Sequence, residues 1–262
     1  MLEVIDKGRC TEEHPVPLLF VHGAWHAAWC WDEHFLDFFA AKGYRAVALS
    51  LRGHGTSPGR KRLRRAGIQD YAEDVAEVAA QLPAPPVLVA HSMGGFVVQH
   101  YLEHHTAPAA ILVASIPPTG VLRLTLNIAR HHPWEFVKVN AELRLGPLVA
   151  TPELARDLFF STSMPDALVA SYHLRLQDES YRAFLDMLVL DLVKAQRVNR
   201  VPMLVLGAER DAIVTQREIH RTAALYGAEV EVFPGMAHDM MLEPGWQSVA
   251  ERIDDWFTAQ RL

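Results

Sequence analysis

The sequence predicts an α/β protein with a mainly parallel sheet, helices on both faces and an inserted helical cap. Three observations predict it. Short apolar runs of strand type alternate with amphipathic helical runs, the pattern of parallel strands joined by crossover helices. That alternation stops once, over residues 119–200, where helical patterns follow one another. Every notable polar cluster falls just past a strand, at the carboxyl edge where reactive groups gather in such sheets: His22-Gly23-Ala24, Arg52-Gly53-His54, Ser92, Asp211 and His238.

Residues 2–5 have room for one short strand, and Pro15 and Pro17 break the approach to the next. Leu18-Leu19-Phe20-Val21 is short and wholly apolar, as a strand buried on both faces must be. An aromatic-rich turn over 25–31 leads into a helix at about 32–41, which Gly43 stops. Residues 45–51 read as the next strand, followed by the glycine-rich loop Arg52-Gly53-His54-Gly55-Thr56-Ser57-Pro58-Gly59. Arg60, Lys61, Arg62, Arg64 and Arg65 come next. No aromatics interleave with them and the chain is net negative, so they read as a solvated loop rather than a patch for an anionic head group.

Asp70-Tyr71-Ala72-Glu73 has the spacing of an N-cap, opening a helix to Leu82 with Val75, Val78, Ala79 and Leu82 on one face. Pro83, Pro85 and Pro86 end it and lead into the strand before Ser92, with a helical pattern after it from 96 to about 105. Residues 109–116 form a strand stopped by Pro117-Pro118. Helical patterns then lie near 121–131, 133–143, 152–160 and 165–177, with a fifth over 180–194; Pro133, Pro152 and Pro165 stand where first turns begin. A strand over 201–208, a helix over 216–226, a strand over 229–233 and a helix over 246–259 complete the chain. The division is core 1–118, helical cap 119–200 and core 201–262.

Composition bounds the function. A chain of 262 residues, half of them hydrophobic, can bury one large core, and a net charge of −6 gives no general attraction to nucleic acid or anionic membrane. Cys10 and Cys30 make no disulfide framework and have no metal spacing. Glu3 and Asp6 near the start argue against a signal peptide, and no stretch approaches a membrane span, so a cytoplasmic location is expected. The oligomeric state stays open.

The chemistry centres on Pro86-Val87-Leu88-Val89-Ala90-His91-Ser92-Met93-Gly94-Gly95. A strand, a sharp turn carrying serine, and a helix are what a nucleophile elbow needs, and small residues two positions either side let strand and helix close in. Ala90 stands where glycine is usual. The plainer alternative is a serine capping a helix. A serine hydroxyl needs a base, and the base needs an orienting acid. His238 follows the final strand and Asp211 follows the strand before it, with Glu209 as rival acid and Asp239 more suited to a loop hydrogen bond. Donors for an oxyanion are expected from the backbone N–H groups of Met93 and Ala24. His22, His26 and His91 lack ligand spacing and read as turn-holders, so no metal or cofactor is expected. Trp29 and Trp31 read as packing residues, and Trp25 could also line a pocket.

In these motifs the chain resembles the serine α/β-hydrolases, from the first core strand to its end. His22-Gly23-Ala24-Trp25-His26, Arg52-Gly53-His54-Gly55-Thr56-Ser57, His91-Ser92-Met93-Gly94-Gly95, Asp211 and His238 match that family's motifs in order. The monoacylglycerol-lipase and carboxylesterase branches are similar in the first three, and plant methyl esterases and hydroxynitrile lyases in the cluster through Trp31. Two departures stand out: residues 1–17 leave little room for the family's N-terminal strand pair, and Ser50 replaces the aspartate that often precedes Arg-Gly-His-Gly. The resemblance implies a carboxylic ester hydrolase, with Ser92 as nucleophile, His238 as base and Asp211 as acid. Thioesters, lactones, amides and C–C bonds are alternatives on the same machinery, and a non-catalytic ligand receptor is an alternative on the same fold. Asp239 stands where the similar hydroxynitrile lyases carry lysine, which argues against that chemistry. The apolar residues of 119–200, among them Leu122, Leu124, Leu126, Phe136, Phe159, Phe160, Met164 and Leu168, suit a short or medium apolar acyl or alcohol group.

Overall fold

A computed structural model describes residues 1–262. Seven strands form one sheet: β1 (Val4–Lys7), β2 (Leu18–Val21), β3 (Ala46–Leu49), β4 (Val87–His91), β5 (Ala110–Val113), β6 (Met203–Ala208) and β7 (Glu229–Phe233), in the spatial order β1-β3-β2-β4-β5-β6-β7. Only β1 runs antiparallel, pairing Val4 with Leu49 and Lys7 with Ala46. β2, β4 and β5 are buried along their whole length, which accounts for their unbroken apolar runs, whereas edge strand β7 buries only Phe233.

The one short strand expected at 2–5 is β1, two residues later than the sequence suggested, and it stands where the family has a strand pair. β1 still brings Glu3 to the corner where Ser50 stands. The Ser50 hydroxyl donates to the Glu3 carboxylate, which also accepts the Thr56 N–H at 3.1 Å and its hydroxyl at 2.8 Å. A carboxylate therefore reaches this corner from the chain's start rather than from position 50.

The helices of the core are α1 (Trp29–Asp32), α2 (Phe35–Ala41), α3 (Ile68–Ala79), α4 (Met93–Tyr101), α10 (Gln216–Tyr226) and α11 (Trp246–Gln260). α2 packs with α11 on one side of the sheet, where Phe20, Trp31, Phe35, Phe39 and Phe257 bury their rings. α3 packs with α4 on the other, and Tyr226 of α10 joins them by donating to Gln99 at 2.9 Å. Two expected boundaries move. The helix at 32–41 divides at His34, whose backbone leaves the helical region while its ring stacks on Trp246. The helix expected from Asp70 starts at Ile68, because Gly67 is the cap and the Asp70 carboxylate reaches back to accept the Gly67 N–H at 2.8 Å. The basic stretch Arg60–Arg65 is an exposed 3-10 turn anchored by buried Leu63.

Between β5 and β6 the chain forms helices and no strands, the main ones being α5 (Leu122–His131), α6 (Pro133–Glu142), α7 (Pro152–Phe159), α8 (Asp166–His173) and α9 (Tyr181–Leu185). α7 is capped by the Thr151 hydroxyl, which accepts from Leu154 N–H, and starts on Pro152, where the missing N–H costs nothing. Pro165 is itself the cap of α8 rather than its first residue. The fifth helix is shorter than its pattern suggested: past Leu185 it widens into a π turn, and the Met187 carbonyl accepts the Val121 N–H at 3.0 Å. No helix is long and apolar enough to cross a membrane.

Candidate active site

Ser92 sits between β4 and α4 at φ 52°, ψ −120°, a backbone conformation that costs a non-glycine residue about 1–3 kcal/mol and persists only where its surroundings impose it. The imposing contacts are specific. The Ser92 N–H donates to the Val113 carbonyl at 3.1 Å, and its carbonyl accepts from Gly95 at 3.0 Å and Ile116 at 3.1 Å. α4 therefore starts directly after the serine, three residues earlier than its apolar pattern indicated. A side chain on Gly94 would strike the carbonyls of Val21 and His22, and one on Gly95 would strike Ser115, so both glycines are required by close approach. Ala90, in place of the usual glycine, fits fully buried in β4.

The loop after β7 carries His238 to Ser92, 146 residues away in sequence, with Nε2 2.8 Å from Ser92 Oγ. Its Nδ1 lies 2.8 Å from Asp211 Oδ2. Asp211 follows β6, and its other oxygen accepts the N–H groups of Ile213 at 2.7 Å and Val214 at 2.9 Å, which fixes the carboxylate plane. The partners set the tautomer: Nδ1–H donates to Asp211 and Nε2 accepts from Ser92. Glu209 is elsewhere, accepting the Gly235 N–H at 2.7 Å.

Asp239 engages His26 rather than His238. Its Oδ2 lies 2.9 Å from His26 Nε2, with both side chains buried. Burial alone would lower the pKa of His26, but the adjacent Asp239 carboxylate raises it overall; burial would raise that of Asp239, and His26 lowers it overall. The other two histidines near the site are neutral. Burial, and then the nearby His54, push the pKa of His22 well down; its Nδ1–H donates to the Gly23 carbonyl at 2.8 Å while Nε2 accepts the Leu51 N–H at 3.0 Å. Burial and the facing His238 bring that of His91 down to about 3, and its Nε2–H donates to the His238 carbonyl at 3.0 Å, steadying the loop. His91, His238 and Asp239 hold possible metal-ligand atoms within 4.8 Å of one another. Both His238 nitrogens, however, already face Asp211 and Ser92, and the arrangement is organised for hydrogen bonding.

The turn after β2 lies against the serine: a Cβ on Gly23 would be 2.9 Å from Ser92 Cβ. The backbone N–H groups of Ala24 and Met93 donate to no carbonyl or side chain of the protein, and both residues line the cavity at Ser92. Sixteen residues line that cavity, fourteen of them hydrophobic and none charged, and ten come from the 119–200 segment. Trp25 is among them, with its indole N–H donated to the Leu145 carbonyl at 3.2 Å. Trp31 packs against Phe20 and Phe35 as expected, whereas Trp29 stacks on Tyr172 and carries the Arg175 guanidinium 4.1 Å above its ring, so it clasps the inserted segment. Of the apolar residues singled out in that segment, Leu124 and Phe136 line the cavity; Phe159, Phe160 and Met164 are buried, and Leu122, Leu126 and Leu168 are exposed. The sequence did not single out Glu179, a wholly buried carboxylate behind the turn, because no periodicity or motif marks a lone acid in a helical block.

A mainly parallel sheet with a strained serine between strand and helix, in hydrogen-bond reach of a histidine–aspartate pair, is the arrangement of the α/β-hydrolase fold. A model of the alpha/beta hydrolase family matches residues 18–251, and the chain belongs to that family. Among curated relatives, methylesterase 18 of Arabidopsis thaliana is 26% identical over 220 residues, covering 77% of this chain and 80% of that protein. The non-heme haloperoxidase of Rhodococcus erythropolis is 27% identical over 251 residues, 86% of each chain. Among solved structures, an esterase from Exiguobacterium antarcticum superposes with a TM-score of 0.75 over 98% of this chain and 95% of that one, at 20% identity.

Proposed function

We propose that the protein hydrolyses carboxylic esters through an acyl-enzyme formed on Ser92. The observation that carries this reading is the continuous relay Asp211–His238–Ser92, with both contacts at 2.8 Å, opening onto an apolar cavity. His238 Nε2 takes the serine proton as Oγ attacks the ester carbonyl, and Asp211 stabilises the imidazolium that results. The N–H groups of Ala24 and Met93 receive the oxyanion. His238 then protonates the leaving alcohol and activates the water that releases the acid. No step requires a cofactor or metal.

Residues 119–200 act in this reading as a cap that selects the substrate. The support is that most of the cavity wall comes from them and that no charge lines it, which suits an uncharged, apolar acyl or alcohol group. Relatives named methylesterase and monoacylglycerol lipase agree with ester chemistry in general. The test is turnover of p-nitrophenyl esters, acetate to octanoate, by wild type and Ser92→Ala. Wild-type turnover lost in the variant is expected; an inert wild-type protein that binds such esters would instead make it a receptor.

A further inference from the structure

Glu179 lies between α8 and α9, in the inserted segment, yet its carboxylate is wholly buried against the core. Its Oε1 accepts from the Tyr71 hydroxyl at 2.9 Å and the Ser180 N–H at 2.6 Å. Its Oε2 accepts from His54 Nε2 at 2.9 Å and from the backbone N–H of Trp25 at 3.3 Å. Burial and then the Glu179 charge push the Tyr71 hydroxyl pKa well up, so Tyr71 serves as a donor only. Burying a carboxylate is expensive unless its lone pairs are met, and here four donors meet them.

The geometry matters because of what Trp25 is. It follows Ala24 directly and holds φ at 64°, in the left-handed region that a bulky residue enters only under constraint. The same short strap of inserted chain supplies the constraint from two directions. Glu179 takes the Trp25 N–H, and the Gln177 N–H donates to the Trp25 carbonyl at 3.0 Å. The Gln177 side chain meanwhile accepts the Gly55 N–H at 2.9 Å, tying the strap to the glycine-rich loop. The peptide joining Ala24 to Trp25 is thereby held by a residue 154 positions away.

We infer that Glu179 is a positioning residue for the oxyanion site: its carboxylate, through the Trp25 N–H, sets the direction of the Ala24 N–H. The inference rests on the proposed acyl-enzyme chemistry at Ser92. Glutamine is a discriminating substitute. Tyr71 can turn its hydroxyl, but the N–H groups of Ser180 and Trp25 are fixed donors on opposite oxygens of the carboxylate. Whichever way a glutamine amide is turned, its NH2 opposes one of them: it meets the Trp25 N–H head-on, or it meets the Ser180 N–H at 2.6 Å and the shift that relieves that clash draws the amide away from Trp25.

The experiment compares wild type, Glu179→Gln and Ser92→Ala. Glu179→Gln should lower kcat on p-nitrophenyl acetate by about 10- to 100-fold with KM little changed, as a misdirected donor acts in the transition state. Affinity for an alkyl trifluoromethyl ketone, whose carbonyl carbon bonds to the serine oxygen and leaves an oxyanion, should fall by the same factor. Affinity for the alcohol of equal chain length, which makes no oxyanion, should be unchanged. Wild-type kcat and ketone affinity in Glu179→Gln would overturn the inference, as would an equal loss of both ligands, which would mean a distorted pocket. Turnover surviving in Ser92→Ala would overturn the acyl-enzyme reading itself. Should Glu179→Gln fail to fold, Glu179→Asp, which keeps the charge and shortens its reach, takes its place with the same expected split between ketone and alcohol.

Discussion

His26 Nε2 lies 2.9 Å from Asp239 Oδ2, in a pocket shut off from solvent, and the pair ties the turn carrying Ala24 to the loop carrying His238. His26 Nδ1 faces the Ala24 carbonyl at 2.8 Å, and Asp239 is the neighbour of His238 in sequence. The attraction across this contact raises the His26 pKa and lowers that of Asp239, which favours the ionised pair. His91, His238, Glu179, His22, Cys30 and Glu243 interact with it as well.

That pair predicts a pH-dependent stability. The Asp239 pKa is lowered, so its contribution is fully present above the unfolded value of about 4 and is lost as pH falls through the folded value. The His26 pKa is raised, so its contribution is complete below the unfolded value of about 6.5 and is lost as pH rises through the folded value. Asp239→Asn should therefore cost most stability between about pH 4 and 6.5, on the order of 3–5 kcal/mol, and less on either side. Denaturant midpoints of both proteins from pH 3.5 to 9 check this. A gap that does not vary with pH would mean the pair is not ionised.

Asp211→Asn should fold and lose on the order of 10⁴-fold in kcat, because an amide at that position favours the wrong imidazole tautomer. Glu209→Gln should cost little, since Glu209 holds only the Gly235 N–H. Steady-state kinetics on one activated ester distinguish the two, and a reversed order would transfer the acid role to Glu209.

The sheet, and the placing of Ser92, Asp211 and His238 just past its strands, were legible in the sequence because each depends on local pattern. A strand buried on both faces must be apolar throughout, and a serine set between such a strand and a helix that opens on small residues is the local pattern of a nucleophile elbow. Ser92, Asp211 and His238 stand just past β4, β6 and β7, and the parallel sheet brings those strand ends to one edge. The Glu179 strap, the His26–Asp239 pair and the reach of Glu3 to Ser50 were not legible. Each joins residues far apart in sequence through one side chain, and nothing periodic marks such a residue. The inserted segment showed its helices but not their orientation: Leu122 and Leu124 look alike in sequence, yet one is exposed and the other lines the cavity.

Cavity shape should set chain-length preference. Burying one methylene contributes about 0.8 kcal/mol, so kcat/KM on p-nitrophenyl esters should rise up to roughly fourfold per added carbon until the cavity is full, then fall. Phe136→Ala, which removes a large side chain from the cavity wall, should move the optimum to longer chains while acetate turnover persists. A flat profile unmoved by this change would mean that the segment over 119–200 does not select the acyl group.

The acyl-enzyme on Ser92 is the claim on which the rest depends, and intact-protein mass spectrometry after reaction with a fluorophosphonate tests it most directly. Wild type should gain one phosphonyl adduct that peptide mapping places on Ser92, and folded Ser92→Ala should gain none. An adduct of equal yield on the folded Ser92→Ala variant would contradict the account.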